Sequence, residues 1–270
     1  MNDEKKTDAN DPKSATRFYD HPIWYDIIHE KGTAWEVGFL RRQAAKWVDT
    51  GNPPAEQTWL EPACGTGRYL DHLARRGYGV VGYDINERSI RYARRRLRRE
   101  HLNGEVVLAR MDEFCRRGAF DFAYNTINTF RHIQNERAAR LHLQLTAQSL
   151  KPGGAYMVGI DIVDYDIPEP LEETWTANRR GCEVTLVMIT VPPDRAKRME
   201  RIINHITVRT RRKEYCFEST YDLLTYDLRQ WCRLIDASPF EIVDVYDFAN
   251  QPTSINHNSR DLNMILRVKS

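Results

Sequence analysis

TWLEPACGTGRYL, residues 58–70, is the stretch on which the reading of this chain turns. An apolar run through Trp59 and Leu60 ends at an acidic residue, Glu61, and two glycines, Gly65 and Gly67, follow within six residues. Tyr69 and Leu70 then open an amphipathic segment. A strand that passes through such a loop into a helix presents the helix's first unpaired N–H groups at the turn. Glycine lets the backbone approach a ligand there, because no Cβ intrudes, and it permits the positive φ of a tight turn. Small polar or anionic groups are therefore accommodated at this point. A strand-to-helix turn without a ligand has the same form, so the loop by itself is a weak signal.

On either side of the loop, short apolar runs alternate with amphipathic segments, the pattern of a parallel sheet wrapped by helices. TWLEP is the first strand, followed by a helix from about 67 to 76 that Gly77 closes. YGVVGYD is the second, ending at Asp84; Asn86 caps the helix NERSIRYARRRLRREH, and Asn103-Gly104 ends it. EVVLAR forms a third strand running into Met111-Asp112, and FDFAYN a fourth ending near Asn125. Asn135 caps ERAARLHLQLTAQSL, which stops at Lys151-Pro152-Gly153-Gly154, and the fifth strand, AYMVGID, begins directly after. From about Pro168 to Tyr226 the alternation fails. EVTLVMITV, RIINHITVRT and KEYCFESTYDLLTY read instead as an inserted antiparallel sheet. A helix, DLRQWCRLIDAS, and two strands, FEIVDVYDF and NMILRVK, resume the α/β pattern. Ahead of the first strand, FYDHPIWYDIIHEKG gathers aromatic and apolar residues around a Pro, and TAWEVGFLRRQAAKWVDTG has roughly helical spacing. The expected division is a tail over 1–15, a helical N-terminal cap over 16–52, an α/β core over 53–167, an antiparallel β insertion over 168–226 and completion of the core over 227–270.

At 270 residues, one main domain is expected. Hydrophobic residues make up 41% and charged residues 29%, and no apolar run is long enough to cross a bilayer, so no membrane association is expected. The polar N-terminus MNDEKKTDANDPKSA lacks the apolar core of a secretory signal. Five scattered cysteines with no CxxC pair suggest neither a disulfide framework nor a zinc site. These features favour a cytoplasmic protein without a bound metal. A net charge of +2 is too near neutrality to argue for a nucleic-acid partner.

Successive strand ends supply parts of one crevice, where ligands of open parallel sheets bind. Asp84 stands 17 positions beyond Gly67, where a carboxylate can accept both hydroxyls of a ribose. Met111 and Asp112, at the third strand, offer an apolar surface and an acceptor for an exocyclic amine. On these residues the chain resembles the class I S-adenosylmethionine-dependent methyltransferases, whose first motif has the form acidic-x-G-x-G-x-G. Here it reads Glu61-Pro62-Ala63-Cys64-Gly65-Thr66-Gly67, with Ala63 at the first glycine position. The resemblance extends over Asp84, Met111-Asp112 and the LKPGG turn at 150–154, and so over about residues 55–165. It implies a doubly wound, seven-stranded, mostly parallel sheet of Rossmann-like type, with S-adenosyl-L-methionine as cofactor and S-adenosyl-L-homocysteine as product. It also implies that Glu61, Ala63, Gly65 and Gly67 hold the methionine portion and Asp84 the ribose, with Met111 and Asp112 on the adenine. Ile85 and Asn125 complete the cofactor-binding set. Tyr19 and Tyr25, in YDHPIWYD, resemble the N-terminal lid of small-molecule N-methyltransferases, while half-buried packing residues of a cap would look the same.

A nicotinamide-binding domain is the main rival, but its fingerprint needs a small residue where this chain has Leu70. The preferred activity is methyl transfer to a nitrogen or oxygen of a small molecule by direct in-line displacement. For the acceptor side the candidates are Asn125, Asn128 and His132 in AYNTINTFRHI, and Asp161, Asp164 and Tyr165 in GIDIVDYD. His132 is a candidate general base and Asp161 a second candidate catalytic group. A packing or capping His and turn-forming aspartates are the plain alternatives. Trp175, Arg201, His205 and Tyr221 on the insertion could line the pocket. RYARRRLRRE, 91–100, reads as a solvated arginine face, with RNA methylation as a minor alternative. A binding protein that takes up the cofactor without catalysis is a further one. The expected oligomeric state is monomer or homodimer.

Overall fold

A computed structural model describes residues 18–256 and 259–269. The expected tail over 1–15 lies outside the described residues. Two helices come first, α1 (Pro22–His29) and α2 (Thr33–Trp47). The alternation follows: β1 (Thr58–Pro62), α3 (Arg68–Ala74), β2 (Gly79–Asp84), α4 (Glu87–Arg99), β3 (Glu105–Leu108), β4 (Phe120–Asn125), α5 (Glu136–Ser149) and β5 (Leu150–Asp161). Then come β6 (Leu171–Arg179), β7 (Cys182–Thr190), β8 (Met199–Arg209) and β9 (Glu214–Leu224), and finally α6 (Leu228–Asp236), β10 (Phe240–Asp247) and β11 (Asp261–Val268).

The main sheet has seven strands in the order β10-β11-β5-β4-β1-β2-β3. All pairings are parallel except those of β11, which runs antiparallel to both β5 and β10. The order reverses direction between β1 and β4, and at that point the loops after neighbouring strands part to leave a crevice. The doubly wound seven-stranded architecture is thus present. Every residue of β4 is buried, because helices cover both faces of a central parallel strand. Asp121 in that strand is satisfied rather than stranded: Thr50 Oγ1, Asn52 Nδ2, the Thr58 amide and Lys151 Nζ all donate to its carboxylate at 2.6–2.8 Å. Those bonds fasten the segment before β1 beneath the sheet.

Local chemistry sets the helix starts. Asn86 Oδ1 accepts the Ser89 amide and Asn135 Oδ1 the Ala138 amide, each relieving an unpaired N–H of the first turn. Asp227 and Gln230 form a reciprocal capping box on α6.

Three details differ from the sequence reading. β3 stops at Leu108, three residues short of Met111, which lies in a turn. β5 begins at Leu150 and takes in the Lys-Pro-Gly-Gly segment, which bends sharply at Gly153, φ +80°. A Cβ at Gly153 would fall 1.9 Å from the Asp49 carbonyl oxygen, so only glycine allows this approach. β6 was not anticipated, because LEETWTANR lacks apolar alternation; as the outer edge of its sheet it is exposed along most of its length.

The four strands β6-β7-β8-β9 form a separate antiparallel sheet. Val184, Leu186, Ile206 and Val208 on its inner face pack on Phe18, Ile27 and Ile28, so α1 is held between this sheet and α4. Among the described residues, no helix is long and apolar enough to cross a membrane.

Candidate active site

The loop after β1 winds through three positive φ values: Ala63 at +52°, Gly65 at +51° and Gly67 at +69°. Ala63 thus takes the left-handed conformation that its place in the motif requires, despite its methyl group. The Cys64 amide donates to the Tyr83 carbonyl at 2.9 Å and ties the loop to β2. A Cβ on Gly67 would stand 3.0 Å from Ala93 Cβ, which shows how closely α4 lies under the turn. Leu70, the residue that disfavours a nicotinamide fingerprint, is fully buried, and its Cδ1 occupies the space a side chain on Gly82 would need.

Asp84 closes the loop from the neighbouring strand. Its Oδ2 accepts the Gly65 amide at 2.8 Å and its Oδ1 the Asn86 amide at 2.7 Å, which leaves each oxygen a further lone pair. Burial pushes its carboxyl above the usual range, and the backbone amides work against that rise. Glu61 is buried at the end of β1, and burial raises its carboxyl to about 8, while Tyr124 donates to it at 3.0 Å. Asn125 Nδ2 donates to the Pro62 carbonyl at 2.9 Å. Asn125 Oδ1 is buried without a hydrogen-bond partner among the described residues. A buried carboxyl, which would ionise beside a cation, and an unpartnered amide oxygen next to a glycine turn form a place that favours an ammonium group.

Ile85 follows Asp84 and is 66% exposed at the mouth of the crevice. Met111 and Asp112 lie beyond the end of β3, in the turn; the Met111 carbonyl is 3.0 Å from His142 Nδ1, and Arg110 engages Asp112 at 2.9 Å. Asp112 is therefore already paired, which the sequence did not indicate.

Tyr19 and Tyr25 meet over the loop from the N-terminal side, with ring centroids 5.5 Å apart. A Tyr25 ring carbon lies 4.0 Å from where a Gly65 Cβ would be. Tyr19 Oη is 3.4 Å from His132 Nε2, and Tyr221 completes an aromatic trio with ring centroids 5.1–5.7 Å apart. Burial, with Arg131 adjacent, lowers His132 to about 4, so its imidazole is neutral at physiological pH. Asp26 fastens this cover: Arg96 of α4 and Arg179 of β6 donate to its Oδ2 at 2.7 and 2.6 Å, and Arg96 also reaches the Thr66 carbonyl. Burial pushes Asp26 up, but the two guanidinium groups outweigh it and hold the carboxyl low.

On the acceptor side, Asp161 is not a free carboxylate. Arg131, fully buried, donates to Asp161 at 2.8 Å, to Glu200 at 2.5 Å and to the Leu224 carbonyl at 3.0 Å. Asn128 Oδ1 accepts the Asp161 amide. Asp164 pairs with Arg260, and Tyr165 bonds Thr225 and Gln230, so these two fasten loops. Arg201 and His205 lie on the outer face of β8, opposite Asp222 and Glu218 of β9, and so are turned away from the inner face. Trp175 and Tyr221 share the inner face, though Trp175 is at the edge and 39% exposed. The arginines of α4 are less uniformly solvated than expected: Arg94 donates to the Val106 carbonyl, and Arg96 turns inward to Asp26. Arg88, Arg91 and Arg95 line a groove of about 350 Å³ with Asp20, His21 and Trp24.

With this geometry in place, residues 60–154 match the family described as Methyltransferase domain. A segment of about a third of the chain thus resembles a methyltransferase domain. Among curated proteins, it is 28% identical over 147 residues to a ubiquinone biosynthesis O-methyltransferase of Azoarcus sp., a match covering 54% of this chain and 60% of that enzyme. It is 25% identical over 185 residues to the dTDP-3-amino-3,4,6-trideoxy-alpha-D-glucopyranose N,N-dimethyltransferase of Streptomyces venezuelae, covering 67% of this chain and 74% of that one. Among solved structures, Streptomyces venezuelae DesVI superposes with a TM-score of 0.72 at 18% identity over 94% of this chain and 98% of that one. The sugar N-methyltransferase KedS8 from Streptoalloteichus sp. gives 0.71 at 17% identity over 100% and 99%. These structural likenesses concern the fold. The matched segment takes in the loop, β2 and LKPGG, and leaves the cap and insertion outside its bounds.

The sequence reading did not single out Arg131, Glu200, Asn204, Arg68 or Glu36. Arg68 Nη1 donates to Glu36 at 2.6 Å and to Thr33 at 2.7 Å, fastening α2 to the start of α3. The one available signal was an arginine set between Phe130 and Ile133 in TFRHI, a charge beside residues that a compact core would bury.

Proposed function

We propose that this protein is a cytoplasmic S-adenosylmethionine-dependent methyltransferase that methylates a nitrogen or oxygen of a small molecule and works as a monomer or homodimer. The observation that carries the reading is the bond from the Gly65 amide to Asp84, with Glu61 buried at the adjoining strand end, all at the point where the strand order reverses. Glu61 and Asn125 Oδ1 would take the cofactor's ammonium group, Asp84 the ribose hydroxyls, and Tyr25 with Ile85 would cover it. Met111 and Asp112 would border the adenine. The methyltransferase relatives, of both O- and N-methylating description, support the activity and leave the methylated atom to experiment.

S-adenosylmethionine supplies an electrophilic methyl group: the acceptor's lone pair forms the new bond as the carbon–sulfur bond breaks, and the pair stays on sulfur in S-adenosylhomocysteine. What the protein adds is position and exclusion of water. Tyr19, Tyr25 and Tyr221 shut the reacting end away from solvent. His132, neutral at physiological pH and with Tyr19 Oη beside its Nε2, is the group placed to accept the proton that the acceptor loses, as a base weakened by burial and by Arg131. Asp161 acts as a positioning residue through Arg131. The test is release of S-adenosylhomocysteine from purified protein incubated with S-adenosylmethionine and a fractionated metabolite pool. Acceptor-dependent release supports the proposal; cofactor binding without release under any fraction would reduce the protein to a binder.

A further inference from the structure

The inner face of the β6–β9 sheet changes character along its strands. Its far rows are apolar and pack on α1. Nearer the carboxyl ends of the main sheet, Glu173, Met188, Asn204 and Ser219 stand directly opposite one another on successive strands and so share that face. Asn204 is 3% exposed, and its Oδ1 has no hydrogen-bond partner among the described residues. A buried acceptor left unpaired costs about 1–3 kcal/mol, and natural structures rarely tolerate it without reason.

Charge on the same side is also unbalanced. Arg131 is shared by Asp161 and Glu200, and Asp261 stands opposite Asp161 on the adjoining strand. Burial, followed by the neighbouring Asp161 and Glu173, pushes Asp261 up to about 6, and burial raises Glu200 as well. Four carboxyl groups thus crowd one guanidinium. Arg131 balances only part of this charge, and Glu173 and Asp261 stand exposed beside it, so the group has room for a further cation and, at Asn204 Oδ1, for a hydrogen-bond donor.

We infer that this patch is an acceptor subsite for a small molecule bearing an ammonium group with a neighbouring hydroxyl, the ammonium held by Glu173, Glu200 and Asp261 and the hydroxyl by Asn204. The inference rests on the methyl-transfer reading and adds the acceptor's chemical class and the residues that read it. The ammonium is a recognition group, whether or not it is also the methylated nitrogen.

The experiment has two stages. S-adenosylhomocysteine is first titrated into wild-type protein and into Glu173→Gln, Asp261→Asn, Asn204→Leu and Glu200→Gln. Failure of the wild type to bind it would sink the methyl-transfer reading and this inference with it. The saturated proteins are then titrated with ethanolamine and glucosamine, each beside its uncharged counterpart, ethylene glycol and glucose. The expected result is that at least one amine binds about tenfold or more tightly than its counterpart, a charge-dependent discrimination. Glu173→Gln and Asp261→Asn should reduce that preference severalfold, with S-adenosylhomocysteine affinity retained, and Asn204→Leu should weaken both members of the pair. Glu200→Gln also takes from Arg131 one of its two carboxylate partners, so the exposed Glu173 and Asp261 carry the decision. Retained cofactor binding with no preference for either amine, or a preference that both exposed variants leave intact, would overturn the subsite.

Discussion

Glu61 shows how a single residue couples the site to stability. Its carboxyl, raised to about 8 by burial, keeps its proton in the folded protein and releases it in the unfolded chain near the ordinary value of 4.5. Its contribution is therefore fully present below about pH 4.5 and is lost as the pH climbs towards 8. His132 and His142, both lowered to about 4 by burial, act in the opposite sense and weaken the fold as the pH falls below 6.5. The two effects separate by substitution: relative to Glu61→Gln, the wild type should lose stability as the pH rises from 5 to 8, measured as the difference in Tm across that range. A constant difference would mean that Glu61 ionises normally. The same residue was legible in the sequence because its meaning is local, an acid at a strand end before two glycines. Arg131 was not, because its partners Asp161 and Glu200 lie 30 and 69 positions away and nothing local announces them.

At the level of elements, α1 is a cover fastened by charge. Asp26 is buried and shared by Arg96 and Arg179, so its removal takes the carboxylate from Arg96 and leaves Arg179 with Glu30 alone. Asp26→Ala should lower unfolding free energy by about 3 kcal/mol, read from urea titration, since breaking a buried pair from one side is strongly destabilising. The short turn Thr129–His132 carries the proposed base. His132→Ala should reduce kcat roughly a hundredfold or more while S-adenosylhomocysteine affinity changes little, as expected for loss of acid–base catalysis; equal losses in both would mark His132 as structural. Helices with Asn caps were readable from sequence because a cap is a local device. β6 was not, since an exposed edge strand has no face to bury and so no alternation to detect. β3 was read too long because Ala109-Arg110 continue an extended pattern that the turn at Met111 interrupts.

Across the whole molecule, two sheets divide the work. The seven-stranded sheet, readable from its βα rhythm, places the glycine loop and Asp84 at its reversal point; the four-stranded sheet roofs the carboxyl ends and brings Tyr221, Asn204 and Glu200 to them. The second contribution escapes sequence reading because inner and outer faces alternate residue by residue: Arg201 and His205, both reasonable pocket candidates, face outward, while Glu200 and Asn204, their immediate neighbours, face in. The central claim is that the loop and Asp84 together form the cofactor site. It is tested most directly by isothermal titration of S-adenosylmethionine into the wild type and Asp84→Ala. The account predicts saturable one-site binding by the wild type and its loss in a variant that remains folded by circular dichroism; undiminished binding by folded Asp84→Ala would contradict it.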